Sequence, residues 1–240
     1  MDIKRLFIPV IAGKKANSSL LTGLVAYWKL DEESDGSGAV TRNDSVGSNH
    51  LTDNGTTAAV AGIVGNAAQF VTADGTKLQI ASTSDLVIGD IDFTFALWVY
   101  PASNVDGKTL LQKKMAFSPY TTEYSLAQGV NRPAFNCGGV TLEPLFQPSI
   151  NQWNLLIIYH DSVNDLMGVQ LNNGVAQTKA TGGAYPSATG TGAFAIGGAT
   201  GNTTSSPEAA VDEVGFWKRL LSTDEKTTLY NSGGGMQYPF

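Results

Sequence analysis

Side chains able to do chemistry are sparse in this 240-residue sequence, and their spacing narrows what they can do. There are two histidines, His50 and His160, and one cysteine, Cys137. Neither histidine has a second histidine at metal-ligand spacing or a Gly-x-Ser-x-Gly elbow beside it, so neither metallohydrolase nor serine-nucleophile chemistry is indicated. His50 lies in an Asn-rich loop that suits a turn or hydrogen-bonding role, and His160 ends an apolar run as a strand-end residue. Cys137 has no partner for an internal disulfide and gives no sign of an oxidising compartment. The carboxylates cluster at Asp31-Glu32-Glu33, Asp90-Ile91-Asp92 and Asp212-Glu213. Glycoside hydrolysis needs two carboxylates ~5 Å apart for retention or ~6.5–9.5 Å for inversion. The first two clusters suit loops or strand entries, and neighbours along a strand point to opposite faces. Catalysis of that kind is therefore a remote alternative. Recognition of a sugar needs less: an aromatic platform beside planar polar groups. Tyr120, Tyr124, Asn131, Arg132 and Tyr185 fall in or beside predicted loops and are the candidate ligand-binding residues. Trp28, Trp98, Trp153 and Trp217 sit in apolar runs and belong to the core.

The elements that must position these groups read as strands. Hydrophobic residues make up 42% and charged residues 15%, enough apolar surface to offset the entropy of ordering. The 27 glycines, with abundant Thr, Val, Ser and Asn, favour short strands and tight turns over a helical bundle. Phe93-Thr-Phe-Ala-Leu-Trp-Val-Tyr100 is a strand stopped at Pro101, with Phe93, Phe95, Leu97 and Val99 on one face and Thr94, Ala96, Trp98 and Tyr100 on the other. Trp153–His160, nearly continuous in apolar residues, reads as a central strand, paired with Met167–Leu171 through the Asp161–Asp165 loop. Asn173-Gly174 then turns the chain into Val175–Lys179. Asp74-Gly75, between Ala67–Val71 and Lys77–Ile80, predicts another hairpin. About a dozen strands with regular turn signals indicate a two-sheet sandwich. One helix is predicted near the end. Ser222-Thr-Asp-Glu225 is a capping box, Gly233 a stop, and Leu229 and Tyr230 the packing face.

Four ordered segments carry a family resemblance: Gly23-Leu-Val-Ala-Tyr-Trp-Lys-Leu-Asp31, Asp44-Ser-Val-Gly-Ser-Asn-His50, Phe93–Pro101, and Val211-Asp-Glu-Val-Gly-Phe-Trp-Lys-Arg-Leu-Leu-Ser-Thr-Asp-Glu225 followed by Leu229-Tyr-Asn231. Together they span roughly residues 23–233 and resemble the laminin-G-like family of concanavalin A-like jelly rolls. In the second segment Val46 stands where the family pattern has Gly. The resemblance implies an all-β, two-sheet antiparallel jelly-roll sandwich with one short C-terminal helix, and a non-catalytic binding module. Glucanases of this architecture carry Glu-x-Asp-x-x-Glu on one strand, a run this sequence lacks. The resemblance also implies one structural Ca²⁺, held by an Asp of the closing strand and by loop oxygens near the entry strand. Asp212 is the corresponding residue, with Asp44 and Asp31 beside it; the alternative is that Asp212 binds backbone amides of a neighbouring loop.

Charge and the ends of the chain bound the partners. A net charge of −6 argues against a nucleic-acid surface. No apolar run approaches the ~20 residues that span a bilayer. Residues 1–20 are set apart, with Lys4, Arg5, Lys14 and Lys15 against Asp2 alone. The apolar stretch Leu6–Gly13 is broken by Pro9 and followed by Lys14-Lys15, which departs from a secretory leader. Residues 1–22 are expected as an extended arm and 23–240 as the domain. An arm of this kind suits attachment to other structural proteins of a large assembly. The expectation is an accessory protein of a phage virion that displays the jelly roll, with host or environmental glycans as partners. The alternative is a free or secreted adhesion module outside the cell.

Overall fold

The computed structural model describes residues 18–33, 40–103, 106–114, 122–129, 132–183 and 190–240. Most of the expected arm, residues 1–17, lies outside this set, and its last part is not extended. Ser18–Leu21 makes a single helical turn, α1. Leu20 is buried and its carbonyl accepts the Trp217 indole N–H at 2.8 Å. The Arg219 guanidinium donates to the carbonyls of Ser19 and Thr22. Residues 18–22 are thus tied to the domain.

Sixteen strands follow among the described residues. They begin β1 (Leu24–Trp28), β2 (Thr41–Arg42), β3 (Leu51–Asn54), β4 (Ala58–Ala61), β5 (Asn66–Phe70), β6 (Lys77–Ile80) and β7 (Phe93–Pro101). They continue β8 (Lys108–Lys114), β9 (Thr122–Gln128), β10 (Pro133–Cys137), β11 (Val140–Leu142) and β12 (Asn154–Asp161). The last are β13 (Leu166–Leu171), β14 (Gln177–Ala180), β15 (Phe194–Ile196) and β16 (Ala209–Trp217), before helix α2 (Thr223–Tyr230). Two eight-stranded sheets result. Sheet A runs β14-β13-β12-β7-β16-β5-β4, with β1 also paired to β16, and sheet B runs β11-β10-β9-β8-β15-β6-β3-β2. This is the predicted jelly-roll sandwich.

Alternation decides which residues fill it. In β7, Phe93, Phe95, Leu97 and Val99 enter the main core between the sheets, while Ala96 and Trp98 join a second apolar cluster on the outside of sheet A. That second cluster is closed by the chain's own ends: Leu20 from α1, Leu229 from α2, and Met236, Tyr238 and Phe240 from the tail. Phe240 meets Tyr27 edge-on at 5.3 Å, and Tyr230 stacks on Trp98 at 5.9 Å. The tail that follows Gly233 therefore docks on its own sandwich.

β13 pairs with β14, but not through a two-residue turn at Asn173-Gly174: β14 starts at Gln177 rather than Val175, and Asn172 (φ 52°) takes the left-handed region instead. The hairpin around Asp161–Asp165 forms as predicted, β12 with β13. The one expected at Asp74-Gly75 does not. There β5 pairs in sheet A and β6 in sheet B, joined by a 3₁₀ turn (Thr72–Asp74) that Gly75 ends at φ 61°. The turn chemistry was legible, but which sheet receives the next strand depends on distant partners. The capping box of α2 is complete, Ser222 Oγ accepting from Glu225 N–H and the Glu225 carboxylate from Ser222 N–H. Asn231 in the left-handed region (φ 45°), rather than Gly233, stops the helix.

Candidate functional site

Three of the five residues expected to bind a ligand, Tyr120, Asn131 and Tyr185, lie outside the described residues. Tyr124 does not line a rim. It alternates with Leu126 along β9, is wholly buried in the main core, and donates its hydroxyl to Leu86 O at 3.0 Å. Its period-two spacing from Leu126 was the signal that it points inward. Arg132 is partly buried beside Gln128, Pro133 and Pro148, around a cavity of about 10 Å³, too small for a sugar.

The acidic residues converge in a different way from the expected metal set. Asp212 Oδ2 accepts the backbone N–H groups of Ile63 (2.8 Å) and Val64 (3.3 Å), and its Oδ1 that of Glu213 (2.8 Å). Asp31 Oδ1 accepts from Asn66 N–H at 2.8 Å, and its Oδ2 from the Gln237 side chain at 2.9 Å. Both carboxylates thus grip the β4–β5 turn, and the backbone approaches so closely that only glycine fits. A Cβ at Gly62 would fall 2.4 Å from Asp212 Oδ2, and one at Gly65 2.3 Å from Asp31 Oδ1. Asp44 serves another loop. Its Oδ1 accepts from Tyr27 and Val46 N–H, and its Oδ2 from Asn49 N–H, each at 3.0 Å. Asp44 N–H donates to His50 Nδ1, which gives that histidine its turn-stabilising part. Among the described residues no three carboxylate, imidazole or thiol groups are placed to hold one ion. Asp31 and Asp212 meet at the β4–β5 turn, whereas Asp44 holds the loop at residues 44–49, so the three are not drawn together by one set of contacts.

In the sequence Glu213 stands out only as the neighbour of Asp212 in a carboxylate pair. Neighbouring residues of a flat strand face opposite ways, but the β16 register shifts between Asp212 and Gly215 and Glu213 adopts φ 49°. This bulge turns both carboxyls into one buried corner. Both Glu213 oxygens are buried, with the Tyr27 hydroxyl and the Gln237 amide close enough to temper the carboxyl but without a well-formed hydrogen bond. The nearby donors point elsewhere, Tyr27 Oη to Met236 O and Gln237 Nε2 to Asp31 Oδ2. Burial pushes the Glu213 carboxyl up to about 8, helped by the charge of Asp212, and burial pushes Asp212 up to about 7. The Tyr27 phenol is likewise raised, by burial first and then by Glu213. The corner is closed over by the tail at Met236 and Gln237, so its carboxyls serve local structure.

The open surface is the outward face of sheet B. No strand of this sheet contributes to the second apolar cluster. Its inward residues Leu78, Leu111, Tyr124, Leu126, Phe135 and Ile196 fill the core. The positions between them form one row across all eight strands in direct register. Thr41 pairs with Thr52, Thr52 with Gln79, Gln79 with Ala195, and Ala195 with Gln112. Gln112 then pairs with Ser125, Ser125 with Asn136, and Asn136 with Thr141. At ~4.8 Å per strand this band is roughly 34 Å long. Seven of its eight positions carry amides or hydroxyls and none carries a charge, while Ala195 near its middle is buried. Asn136 Nδ2 donates to Thr141 Oγ1 at 2.9 Å and Gln112 Nε2 to Thr122 Oγ1 at 3.3 Å, which orients both amides. The sequence signal was a polar residue between two core residues, as in Tyr124-Ser125-Leu126 and Phe135-Asn136-Cys137.

Comparison with known proteins agrees with this architecture. A family model described as the concanavalin A-like lectin/glucanases superfamily matches residues 72–225. No curated protein matches the sequence. Among solved structures, the chain is similar to domain 4 of AbnA, a GH43 extracellular arabinanase from Geobacillus stearothermophilus, in complex with arabinotriose. That match has 18% identity and a TM-score of 0.64, over 85% of this chain and 97% of that one. It is also similar to Trypanosoma rangeli sialidase (14% identity, TM-score 0.63), covering 90% of this chain and 34% of the sialidase. The binding domain of botulinum neurotoxin serotype G matches at 13% identity and TM-score 0.64, over 88% of this chain and 51% of that domain. The chain therefore spans about a third of the sialidase and half of the toxin domain. At these identities the likeness is one of fold.

Proposed function

The chain belongs to the concanavalin A-like lectin/glucanase superfamily, and from that premise we propose that it is a non-catalytic module that binds neutral glycans on the outward face of sheet B. The observation that carries this reading is the uncharged row from Thr41 to Thr141, on the face opposite the one where Leu20, Leu229 and Phe240 pack. Amide and hydroxyl groups both donate and accept, as sugar hydroxyls do, and a row without charge does not favour an acidic glycan. The AbnA domain, solved in complex with the neutral oligosaccharide arabinotriose, supports a saccharide as the ligand. Closure of the Asp31–Asp212–Glu213 corner beneath Gln237 supports a binding role over hydrolysis.

An array of neutral and sialylated glycans tests this reading. Neutral oligosaccharides should be retained and returned uncleaved. The double variant Gln112→Ala/Asn136→Ala should bind roughly tenfold or more weakly, since each lost hydrogen bond is worth about 0.5–1.5 kcal/mol. An array silent to the native protein refutes the proposal.

The setting we propose is the outside of a large particle, such as a phage virion, with the basic residues 1–17 as the attachment. The fold-back of residues 18–22 onto Trp217 and Arg219 favours the other reading, an extracellular module that acts unattached. Imaging the native assembly separates the two: density for the jelly roll on a particle surface supports the first, and a free monomer the second.

A further inference from the structure

A shallow, wide-open groove of about 790 Å³ lies at one end of sheet B. It is lined by the hydroxyl residues Ser82, Thr83, Ser84 and Thr191, by the apolar Val87 and Ile88, and by no charged side chain among the described residues. It continues from the ends of β6 and β15, whose Gln79 and Ala195 stand at the middle of the polar row. Beneath it lies a feature that the fold alone does not require. Lys113 and Glu123 are both buried, their charged groups 4.0 Å apart, and each reaches for a different wall. Lys113 Nζ donates to Ser82 Oγ at 2.9 Å and to the carbonyls of Gly190, at 2.6 Å, and Gly192. Glu123 Oε1 accepts the N–H groups of Ile88 (2.8 Å) and Gly89 (3.3 Å). Its Oε2 accepts no hydrogen bond and sits directly under Gly190, where a Cβ would come within 2.1 Å of it. A buried ion pair that makes no direct hydrogen bond, with one oxygen unpartnered, is poor stabilisation for its desolvation cost. What it does accomplish is to hold the 81–89 and 190–192 segments at a set distance.

We propose that this groove is the subsite that seats the end of a neutral oligosaccharide, with its walls held in place by the Lys113–Glu123 pair. This rests on the glycan-binding reading given above and assigns it a particular place. The half-buried Val87, with Ile88 packed in the core beneath, matches the C–H face of a sugar ring, and the hydroxyls of Ser84 and Thr191 match its polar rim. No charged side chain stands among the described lining residues, and the ammonium of Lys218 at the rim already donates to the Ser84 carbonyl at 3.2 Å, so a neutral sugar end suits the groove better than a sialylated or uronic one.

The test is calorimetric titration of the full chain with arabinotriose, maltotriose and mannotriose, and with 3′-sialyllactose as the acidic control. Ser84 is exposed on the groove, so Ser84→Trp fills the space and should leave the melting temperature unchanged. It should weaken binding of the best neutral trisaccharide at least tenfold. Thr191→Trp, exposed on the facing wall, repeats the test should Ser84→Trp not fold. Native protein that binds a trisaccharide with equal affinity in the filled variant overturns the groove and leaves the sheet-face reading standing. Tighter binding of 3′-sialyllactose overturns the neutral specificity. No binding of any neutral trisaccharide by the native protein overturns both readings.

Discussion

Replacing Glu213 by glutamine should change how stability depends on pH while leaving the fold intact. Glu213 is 3% exposed, lacks a well-formed hydrogen bond, and its carboxyl is held at about 8 by burial and by Asp212, against 4.5 for an ordinary glutamate. The folded state therefore holds this proton more tightly than the unfolded chain. Stability from this source is fully present below pH 4.5 and is lost as pH rises to about 8. At 1.36 kcal/mol per pH unit of separation, the loss across that window reaches about 5 kcal/mol. That is an upper bound, since lifting the tail locally hydrates the carboxylate at smaller cost. Glutamine keeps the shape and removes the charge. Glu213→Gln should thus match the native protein at pH 4.5 and exceed it at pH 9 by about 2–5 kcal/mol. Urea unfolding of both proteins at pH 4.5, 6, 7.5 and 9 measures this, with Asp212, which rises to about 7, left as a residual slope in the variant. Parallel curves for the two proteins would refute the assignment of Glu213 as a buried, protonated carboxyl.

Three further outcomes follow from the same geometry. Gly62→Ala pushes a methyl against Asp212 Oδ2 and Asn66 O, and should cost about 1–3 kcal/mol in urea unfolding. Phe240→Ala opens the aromatic cluster with Tyr27, Tyr238 and Trp217; it should destabilise by about 3 kcal/mol and red-shift the tryptophan emission. EDTA should leave the melting temperature unchanged, because Asp44 and Asp212 already bind backbone amides; a lower melting temperature on chelation would restore the calcium expectation.

Local signals in the sequence were sufficient for the strands and for the sandwich class. The alternation in Phe93–Val99, the turn at Asp161–Asp165 and the Ser222–Glu225 capping box depend on neighbours a few residues apart, and all appear as read. Parity was legible in part of the candidate site: Ser125 and Asn136 each stand between two core residues. Reading Tyr124 by the same parity would have placed it inside.

What only the tertiary structure decided is which distant segments meet. The change of sheet at Asp74-Gly75 follows from β5 finding β16 and β6 finding β15, more than a hundred residues away. Asp31 and Asp212 come together on one turn because β1 and β16 pair. Glu213 joins them through a bulge that overturns the strict alternation of a strand. Side-chain periodicity is a property of a dozen residues and can be read along the chain. The register between strands is set by packing two whole sheets face to face, and only that packing brings the polar row into line and shuts the acidic corner beneath the tail.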